Sequence, residues 1–165
     1  MTTSKSALVT GGSRGIGLGI ATRLSELGYA LTVTARDAAT LDAVAPTLKA
    51  AGAPEVVTVA ADLADRAAAD RIIDAHKSTY GSMDALVLNA GVGTAGSIAD
   101  YPMRRFDKTL DVNFRAPVRL THALLPALTA RPGAHVVNVS SLFGLIAPPG
   151  QSAYSSSKFA IRGFS

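Results

Sequence analysis

Short apolar runs alternate along the chain with longer segments in which apolar residues recur every three or four positions. The short runs are typical of buried strands, and the longer segments have the spacing of helices that bury one face. Gly28, Gly52 and Gly81 each follow a predicted helix, Asp65 has the position of an N-cap, and Pro117 is expected to start or kink a helical segment. The first predicted strand begins at Ser6, and the other predicted strands cover residues 30–35, 56–61, 85–88 and 134–140. The predicted helices cover residues 16–27, 40–51, 66–80, 103–129 and 154–165.

Five near-continuous apolar strands that alternate with helices are typical of a parallel sheet covered on both faces. Right-handed crossovers then predict an α/β fold, a Rossmann-like doubly wound parallel sheet in three layers. Ligands of such sheets bind beyond the carboxyl ends of the strands. Polar strand ends also occur without any ligand, but five residues of this chain end or follow a strand and so become candidates: Gly11, Arg36, Asp62, Asn89 and Ser141.

The composition narrows the class of protein. Hydrophobic residues make up 48% of the 165 residues and charged residues 17%, so the chain is expected to bury a sizeable core. The net charge of +4 is scattered, which argues against a nucleic-acid partner. The chain has no cysteine and its three histidines stand far apart, so no metal site is expected. The absence of a leader and of a long apolar run predicts a cytoplasmic protein without membrane contact.

The turn after the first strand is rich in glycine, which lets the backbone bend sharply and present N–H groups to a phosphate. A side chain at Gly15 or Gly17 would block either the ligand or the contact between helix and strand. The glycine spacing resembles the Thr-Gly-x-x-x-Gly-x-Gly loop of the short-chain dehydrogenase/reductase family. That resemblance assigns six residues to cofactor binding: Gly11, Ser13, Arg14, Gly15, Ile16 and Gly17.

A tyrosine and a lysine four residues apart supply the candidate chemistry. Tyr154 and Lys158 would share one face of a helix, where an ammonium group brings a phenol pKa of about 10 closer to neutrality. Such pairs also occur by chance on helices. Ser141 precedes Tyr154 by thirteen positions, however, and Asn113 follows Asp-Val. The spacing of serine, tyrosine and lysine, together with this asparagine, resembles the catalytic set of the same family.

The resemblance covers nearly the whole chain and implies hydride transfer between nicotinamide C4 and the carbonyl carbon of a small-molecule substrate. It implies that Tyr154 protonates the developing alkoxide and that Ser141 holds the carbonyl oxygen. Lys158 would lower the pKa of the tyrosine and hold the cofactor ribose, and Asn113 would support a water that relays protons. Ser140 is the alternative serine, and Ser141 is preferred because neighbouring strand residues point to opposite sides.

NADP is the cofactor predicted, with NAD as the weaker alternative. The second strand ends at Ala35, where NAD-selective relatives carry an acid, and Arg36 and Arg14 suit the additional phosphate of NADP. Asp37 is a contrary signal, because its carboxylate could face the ribose of NAD or could cap the following helix. By resemblance, Asp62 would contact the adenine edge and Leu63 its ring face, and three residues would border the nicotinamide ribose: Asn89, Ala90 and Gly91.

Family members continue well past the Tyr/Lys helix, whereas this chain ends at Ser165. The resemblance therefore implies a domain truncated after the fifth strand and the start of the following helix, with residues 134–140 as an open apolar edge. A longer protein, dependence on another chain, and loss of turnover all stay open as explanations. With a full domain, the family resemblance implies a homodimer or tetramer.

The predicted function is that of an NADP-dependent oxidoreductase acting on a carbonyl or secondary alcohol, with residues 1–165 as a single NAD(P)-binding domain. The alternative is a non-catalytic nucleotide-binding or interaction protein. An epimerase or dehydratase is disfavoured, because its relatives usually carry a Gly-x-x-Gly-x-x-Gly loop.

Overall fold

The computed structural model describes residues 5–93 and 95–165. Apart from a break inside the longest predicted helix, every predicted boundary lies within two residues of the observed one. The elements in chain order are β1 (Ser6–Thr10), α1 (Gly15–Glu26), β2 (Ala30–Ala35), α2 (Ala38–Ala50), β3 (Val56–Ala60), α3 (Arg66–Tyr80), β4 (Ala85–Leu88), α4 (Met103–Leu110), a π turn (Asp111–Arg115), α5 (Ala116–Thr129), β5 (His135–Asn138), a 3₁₀ turn (Leu142–Gly144) and α6 (Ser152–Phe164).

The five strands form one parallel sheet in the order β3-β2-β1-β4-β5. The order reverses between β1 and β4, which is the switch point at which doubly wound sheets bind their ligands. The predicted Rossmann-like α/β fold is therefore confirmed. Among the described residues β5 lies at one edge of the sheet, and its Val136 and Val137 are exposed.

Two hydrophobic cores cover the two faces of the sheet, because successive residues of a strand point to opposite sides. Leu8 of β1 packs in one core with Ile72 of α3 and Leu120 of α5. Val9, the next residue, packs in the other core with Leu48 of α2. The sheet lies between two helical layers, as predicted.

The helix predicted over residues 103–129 is interrupted by the π turn. The physical cause lies at Pro117, which has no N–H group. The carbonyl of Asn113 therefore lacks the partner that it would have in a regular α-helix. The kink expected at Pro117 thus takes the form of an irregular turn around Asn113, and such turns are frequent at functional sites.

The stability of the protein should depend on the protonation of His76, which is fully buried in α3. Its Nε2 donates to the carbonyl of Ser82 at 3.2 Å, and its Nδ1 accepts from the hydroxyl of Thr32 at 2.9 Å. Burial lowers the pKa of His76 below its ordinary value of 6.5, against a smaller opposing effect of the bond to Ser82. The unfolded chain therefore binds the proton more readily than the folded chain does.

Because folding lowers the pKa of His76, its contribution to the free energy of unfolding should be fully present above pH 6.5. We expect this contribution to be lost as the pH falls below 6.5. The loss should approach about 1.4 kcal/mol per pH unit. Urea denaturation between neutral and mildly acidic pH measures it. His76→Gln should flatten this dependence, and the exposed control His122→Gln should not. An unchanged slope in His76→Gln would contradict the assignment.

Candidate active site

A groove of about 700 Å³ lies where the loops after β1, β2, β3 and β4 meet. It is formed largely by residues that directly follow these strands, because the carboxyl ends of parallel strands share one edge of the sheet. All the residues predicted from the glycine turn, the second and third strand ends and the Asn-Ala-Gly segment line it: Gly11, Ser13, Arg14, Gly15, Ile16, Gly17, Arg36, Asp62, Leu63, Asn89, Ala90 and Gly91.

Glycine is required at different positions of the turn for different physical reasons. Gly11 and Gly15 have positive φ angles of +66° and +55°, which other residues rarely adopt. A Cβ at Gly15 would meet nothing within 4 Å, so this position is open toward the groove. A Cβ at Gly17 would instead collide with the carbonyl of Gly11 and the side chain of Asn89. Gly15 therefore leaves room for a ligand, and Gly17 permits the close packing of α1 on the strand ends.

Asn89 braces the floor of the groove at the switch point. Its Nδ2 donates to the carbonyls of Thr10 and Gly11 at 3.0 and 3.2 Å. The backbone N–H groups of Asn89 and Ala90 both donate to the Thr10 hydroxyl at 3.0 Å. These bonds join the ends of β1 and β4, so the side chain of Asn89 supports the glycine turn from below.

Asp37 caps α2, which is one of the two roles that the sequence left open for it. Its Oδ1 accepts from the hydroxyl and the backbone N–H of Thr40, both at 2.6 Å. These bonds lower the pKa of Asp37. The neighbouring Arg36 lines the groove and forms no ion pair with any residue that the structure describes. The end of β2 therefore presents a cation whose adjacent acid is already engaged.

Asp62 follows β3 and is held on both oxygens. Its Oδ1 accepts from the N–H of Ala64 at 3.1 Å, and its Oδ2 accepts from Nζ of Lys108 at 2.9 Å. Partial burial alone would raise the pKa of Asp62, but these bonds and the charges of Lys108 and Arg36 outweigh it, so the pKa is lowered. Asp62 is thus an ionised acceptor at the border of the groove.

Tyr154 and Lys158 line a second cavity of about 300 Å³. Lys158 is buried, and its Nζ donates to the carbonyl of Val139 at 2.8 Å and lies 5.7 Å from the centre of the Tyr154 ring. Burial lowers the pKa of Lys158. The two cavities adjoin, because four residues line both: Ile16, Asn89, Gly91 and Val92.

Asn113 lies beneath the junction of the cavities and lines neither of them. Its Oδ1 accepts from the N–H of Val92, and its Nδ2 donates to the carbonyl of Val92, both at 2.8 Å. The same Nδ2 donates to the hydroxyl of Ser157 at 2.9 Å. The side chain therefore ties the loop after β4 to α6, the helix of Tyr154 and Lys158.

The two candidate serines are in different surroundings. Ser140 lines the second cavity, and its Oγ lies 3.5 Å from the carbonyl of Lys158. Ser141 does not line that cavity; its Oγ accepts from the N–H of Phe143 at 3.2 Å and caps the 3₁₀ turn. The hydroxyl proton of Ser141 is not used in that bond. The preference for Ser141 stays a prediction.

The chain also matches known proteins in sequence and fold. Residues 5–165 match the family model described as short chain dehydrogenase. The chain belongs to the short-chain dehydrogenase family. It is 38% identical over 161 residues to 2-(R)-hydroxypropyl-CoM dehydrogenase of Xanthobacter autotrophicus. This alignment covers 96% of this chain and 64% of that relative. The chain spans 50% to 64% of the length of the curated relatives most similar to it.

Two crystal structures of short-chain oxidoreductases or reductases have the same fold as this chain. A metagenomic short-chain oxidoreductase in complex with NADP superposes with a TM-score of 0.91 at 37% identity, over 99% of this chain and 74% of that chain. L-Sorbose reductase from Gluconobacter frateurii, complexed with NADPH and L-sorbose, gives a TM-score of 0.94 at 30% identity, over 99% and 62%. The doubly wound sheet is thus the shared scaffold.

Several residues that line the groove were not predicted from the sequence. Most of them adjoin predicted residues, which is the signal that could have found them, and Val112 of the π turn likewise precedes Asn113. The lining residues that were not predicted are Thr34, Thr40, Ala61, Val92 and Val112.

Within residues 5–93 and 95–165, no helix is long and apolar enough to span a bilayer, and no cluster of His, Cys, Asp and Glu could hold a metal ion.

The close packing at Gly17 gives a prediction for stability. Gly17→Ala should lower the free energy of unfolding by about 1–3 kcal/mol, because the new Cβ meets the carbonyl of Gly11 and the side chain of Asn89. Gly19→Ala is the matched control in the same helix, where nothing lies within 4 Å of a Cβ. It should raise stability by about 0.5–1 kcal/mol. Urea denaturation compares the two, and equal changes would contradict the packing role.

Proposed function

We propose that this protein is an NADP-dependent oxidoreductase that transfers a hydride between nicotinamide and a carbonyl or secondary alcohol substrate. The supporting observation is the junction of the two cavities. Tyr154 and Lys158 border a space that opens into the groove beside the glycine turn. A dinucleotide along the groove would bring its nicotinamide end to that tyrosine. Residues 1–165 would then serve as one NAD(P)-binding domain.

The residues of the groove suit a dinucleotide phosphate. The N-terminus of α1 has no side-chain cap and no acid in its first turn, so its N–H groups and positive dipole end are available to an anion. Gly15 leaves open space beside it. The pyrophosphate would be held by residues 11–17 and the nicotinamide ribose by residues 89–91 together with Tyr154 and Lys158. Bound NADP would supply the hydride or accept it.

NADP is preferred over NAD because of the charges at the end of β2. The Oδ1 atom of Asp37 caps α2, which holds this carboxylate at the start of that helix. Arg36 and Arg14 line the groove and form no ion pair within the described part of the chain. A guanidinium group suits the 2′-phosphate of NADP, which NAD lacks.

The chain itself would handle the proton of the reaction. The hydroxyl of Tyr154 would donate a proton to the carbonyl oxygen as that oxygen gains charge, and the Ser141 hydroxyl would donate a hydrogen bond to the same oxygen. The Lys158 ammonium, 5.7 Å from the tyrosine ring centre, would favour the phenolate that remains. The carboxamide of Asn113 is fully engaged, so a relay water there would bind the main-chain carbonyl, which lacks its helical partner.

The test is a titration of the protein with NADPH and NADH, followed by assays of NADPH consumption with a panel of ketones and aldehydes. We expect tighter binding of NADPH than of NADH and a consumption rate that depends on the carbonyl compound. Failure to bind either nucleotide would overturn the proposal. Binding without turnover of any carbonyl or alcohol would favour the non-catalytic alternative.

A further inference from the structure

Apart from Lys158, the segments that approach Tyr154 are poor in charged residues. Residues 85–99 and 136–157 contain no Asp, Glu, Lys, Arg or His. These segments include the loops after β4 and β5, and both loops approach the Tyr154 ring. A Cβ at Gly93 would lie 3.1 Å from a ring carbon, and the Phe143 ring packs edge-on with its centre 6.1 Å away.

The two loops form one surface that exposes apolar side chains. The N–H of Gly96 donates to the carbonyl of Gly150 at 2.9 Å, which links the loop after β4 to the loop after β5. A neutral, apolar surface beside a reactive group favours ligands whose own surface is apolar. The large apolar side chains exposed on these loops are Ile98, Leu142, Leu145 and Ile146.

Lys158 and Arg162 of α6 each donate a hydrogen bond to a backbone carbonyl of the loop after β5. Nζ of Lys158 donates to Val139, and Nη1 of Arg162 donates to the carbonyl of Gly144 at 3.4 Å. The charge-free stretches of the two loops offer no cation to a carboxylate or phosphate on the substrate, which would lose hydration beside them. That cost does not arise for a neutral substrate.

We propose that the substrate is an uncharged carbonyl compound, or the matching alcohol, with an apolar aliphatic or aromatic body. The inference rests on the proposed function, because the Tyr154 hydroxyl defines where the carbonyl binds. It adds that the loops after β4 and β5 select against charge on the rest of the molecule.

Three ketones of similar shape test this selection: acetophenone, 4-acetylbenzamide and 4-acetylbenzoate. We expect kcat/KM for acetophenone to exceed that for 4-acetylbenzoate at least about ten-fold, because the carboxylate must be desolvated. The amide, which is polar but neutral, should fall between them and so separates charge from size. Equal values for acetophenone and the benzoate, or a preference for the benzoate, would overturn the inference.

A charge placed on the loop tests its proximity to the substrate. Leu145→Lys should narrow the ratio between acetophenone and 4-acetylbenzoate several-fold, since an ammonium group would then face the carboxylate. Leu27→Lys is the matched control. Leu27 is 57% exposed against 56% for Leu145, but it caps the C-terminal end of α1 and does not belong to either loop. If both variants leave the ratio unchanged, the loop does not contact the substrate and the inference fails.

The failure of this inference can be told apart from failure of the proposed function. If NADPH binds but none of the ketones is reduced, the proposed oxidoreductase activity fails. The same three ketones are then compared as ligands of the NADPH-loaded protein by ligand-observed NMR. Preferential binding of acetophenone would still support an apolar ligand site beside Tyr154, and preferential binding of the benzoate would overturn it.

A second observation concerns the opposite end of the groove, where Lys108 reaches Asp62 from a helix 46 residues away in sequence. Both side chains are about half exposed, so their ion pair adds little to stability. Its geometry is more informative. Lys108 holds the carboxylate of Asp62 in one orientation at the groove border and offsets its charge, which would otherwise repel an anionic nucleotide.

We infer that Lys108 is a positioning residue for the adenosine end of the cofactor and acts through Asp62. This inference also rests on the proposed function. Asp62, ionised and fixed, would accept a hydrogen bond from the exocyclic amine of adenine. Removal of Lys108 should therefore weaken binding of a nucleotide with that amine more than binding of one without it.

The test compares NADPH with reduced nicotinamide hypoxanthine dinucleotide phosphate, which has an oxygen in place of the amine. Lys108→Met should raise Kd for NADPH about ten-fold and Kd for the analogue clearly less, and Lys108→Arg should recover most of the loss. Lys77→Met, on the exposed surface of α3, is the control. Equal weakening of both ligands, or no weakening, would refute the role of Lys108. If the unaltered protein binds neither ligand, the proposed function itself fails.

Discussion

Tyr154→Phe is expected to lower kcat for carbonyl reduction by about 10²–10⁴-fold while leaving Kd for NADPH within about three-fold. The variant removes only the hydroxyl that would donate the proton. The ring would still pack against Phe143 and lie beside Lys158, so the cavity should keep its shape. Steady-state kinetics with a ketone, combined with fluorescence titration of NADPH, measures both quantities.

Tyr29→Phe is the matched control for this prediction. Tyr29 lies just before β2 and contacts Lys5 through its ring, away from both cavities. Its variant should keep kcat unchanged. A Tyr154→Phe protein with normal kcat would remove the tyrosine from the chemistry, and one that no longer binds NADPH would indicate a structural role.

Arg36→Ala is expected to raise Kd for NADPH by about 10–100-fold and to change Kd for NADH little. A hydrogen bond between a guanidinium and a phosphate contributes about 1.5–3 kcal/mol, and only NADPH carries that phosphate. The neighbouring Asp37 is an anion and cannot replace the lost cation. Titration of each variant with both nucleotides measures the change in preference.

Arg23→Ala provides the control, because Arg23 lies near the far end of α1 and, among residues 5–93 and 95–165, its ion pair is with Glu26 at 2.7 Å. It should leave both Kd values unchanged. A tighter binding of NADH than of NADPH by the unaltered protein, weakened by Asp37→Asn, would show that Asp37 faces the ribose in solution and that the cofactor is NAD.

Local sequence patterns predict the helices and strands and the candidate residues at their ends. The spacing of apolar residues and the residues that start and end helices are local features of the chain. For this reason the predicted bounds of the helix at residues 66–80 and of the strand at residues 85–88 equal the observed ones. The relation between Tyr154 and Lys158 is also local, since four residues make about one helical turn. The same locality explains why the glycine turn could be recognised before any fold was known.

The contacts between these residues, and the hydrogen-bond partners of their polar groups, depend on the tertiary structure. The order β3-β2-β1-β4-β5 brings Asn89 against Gly11, a contact between residues 78 positions apart. The engagement of Asp62 by Lys108, the bond from Asn113 to Ser157, and the exposure of Ser140 rather than Ser141 to the cavity likewise depend on packing between distant elements. Periodicity specifies which face of an element is buried, but partners across the sheet follow from strand order and crossover paths, which local spacing does not encode.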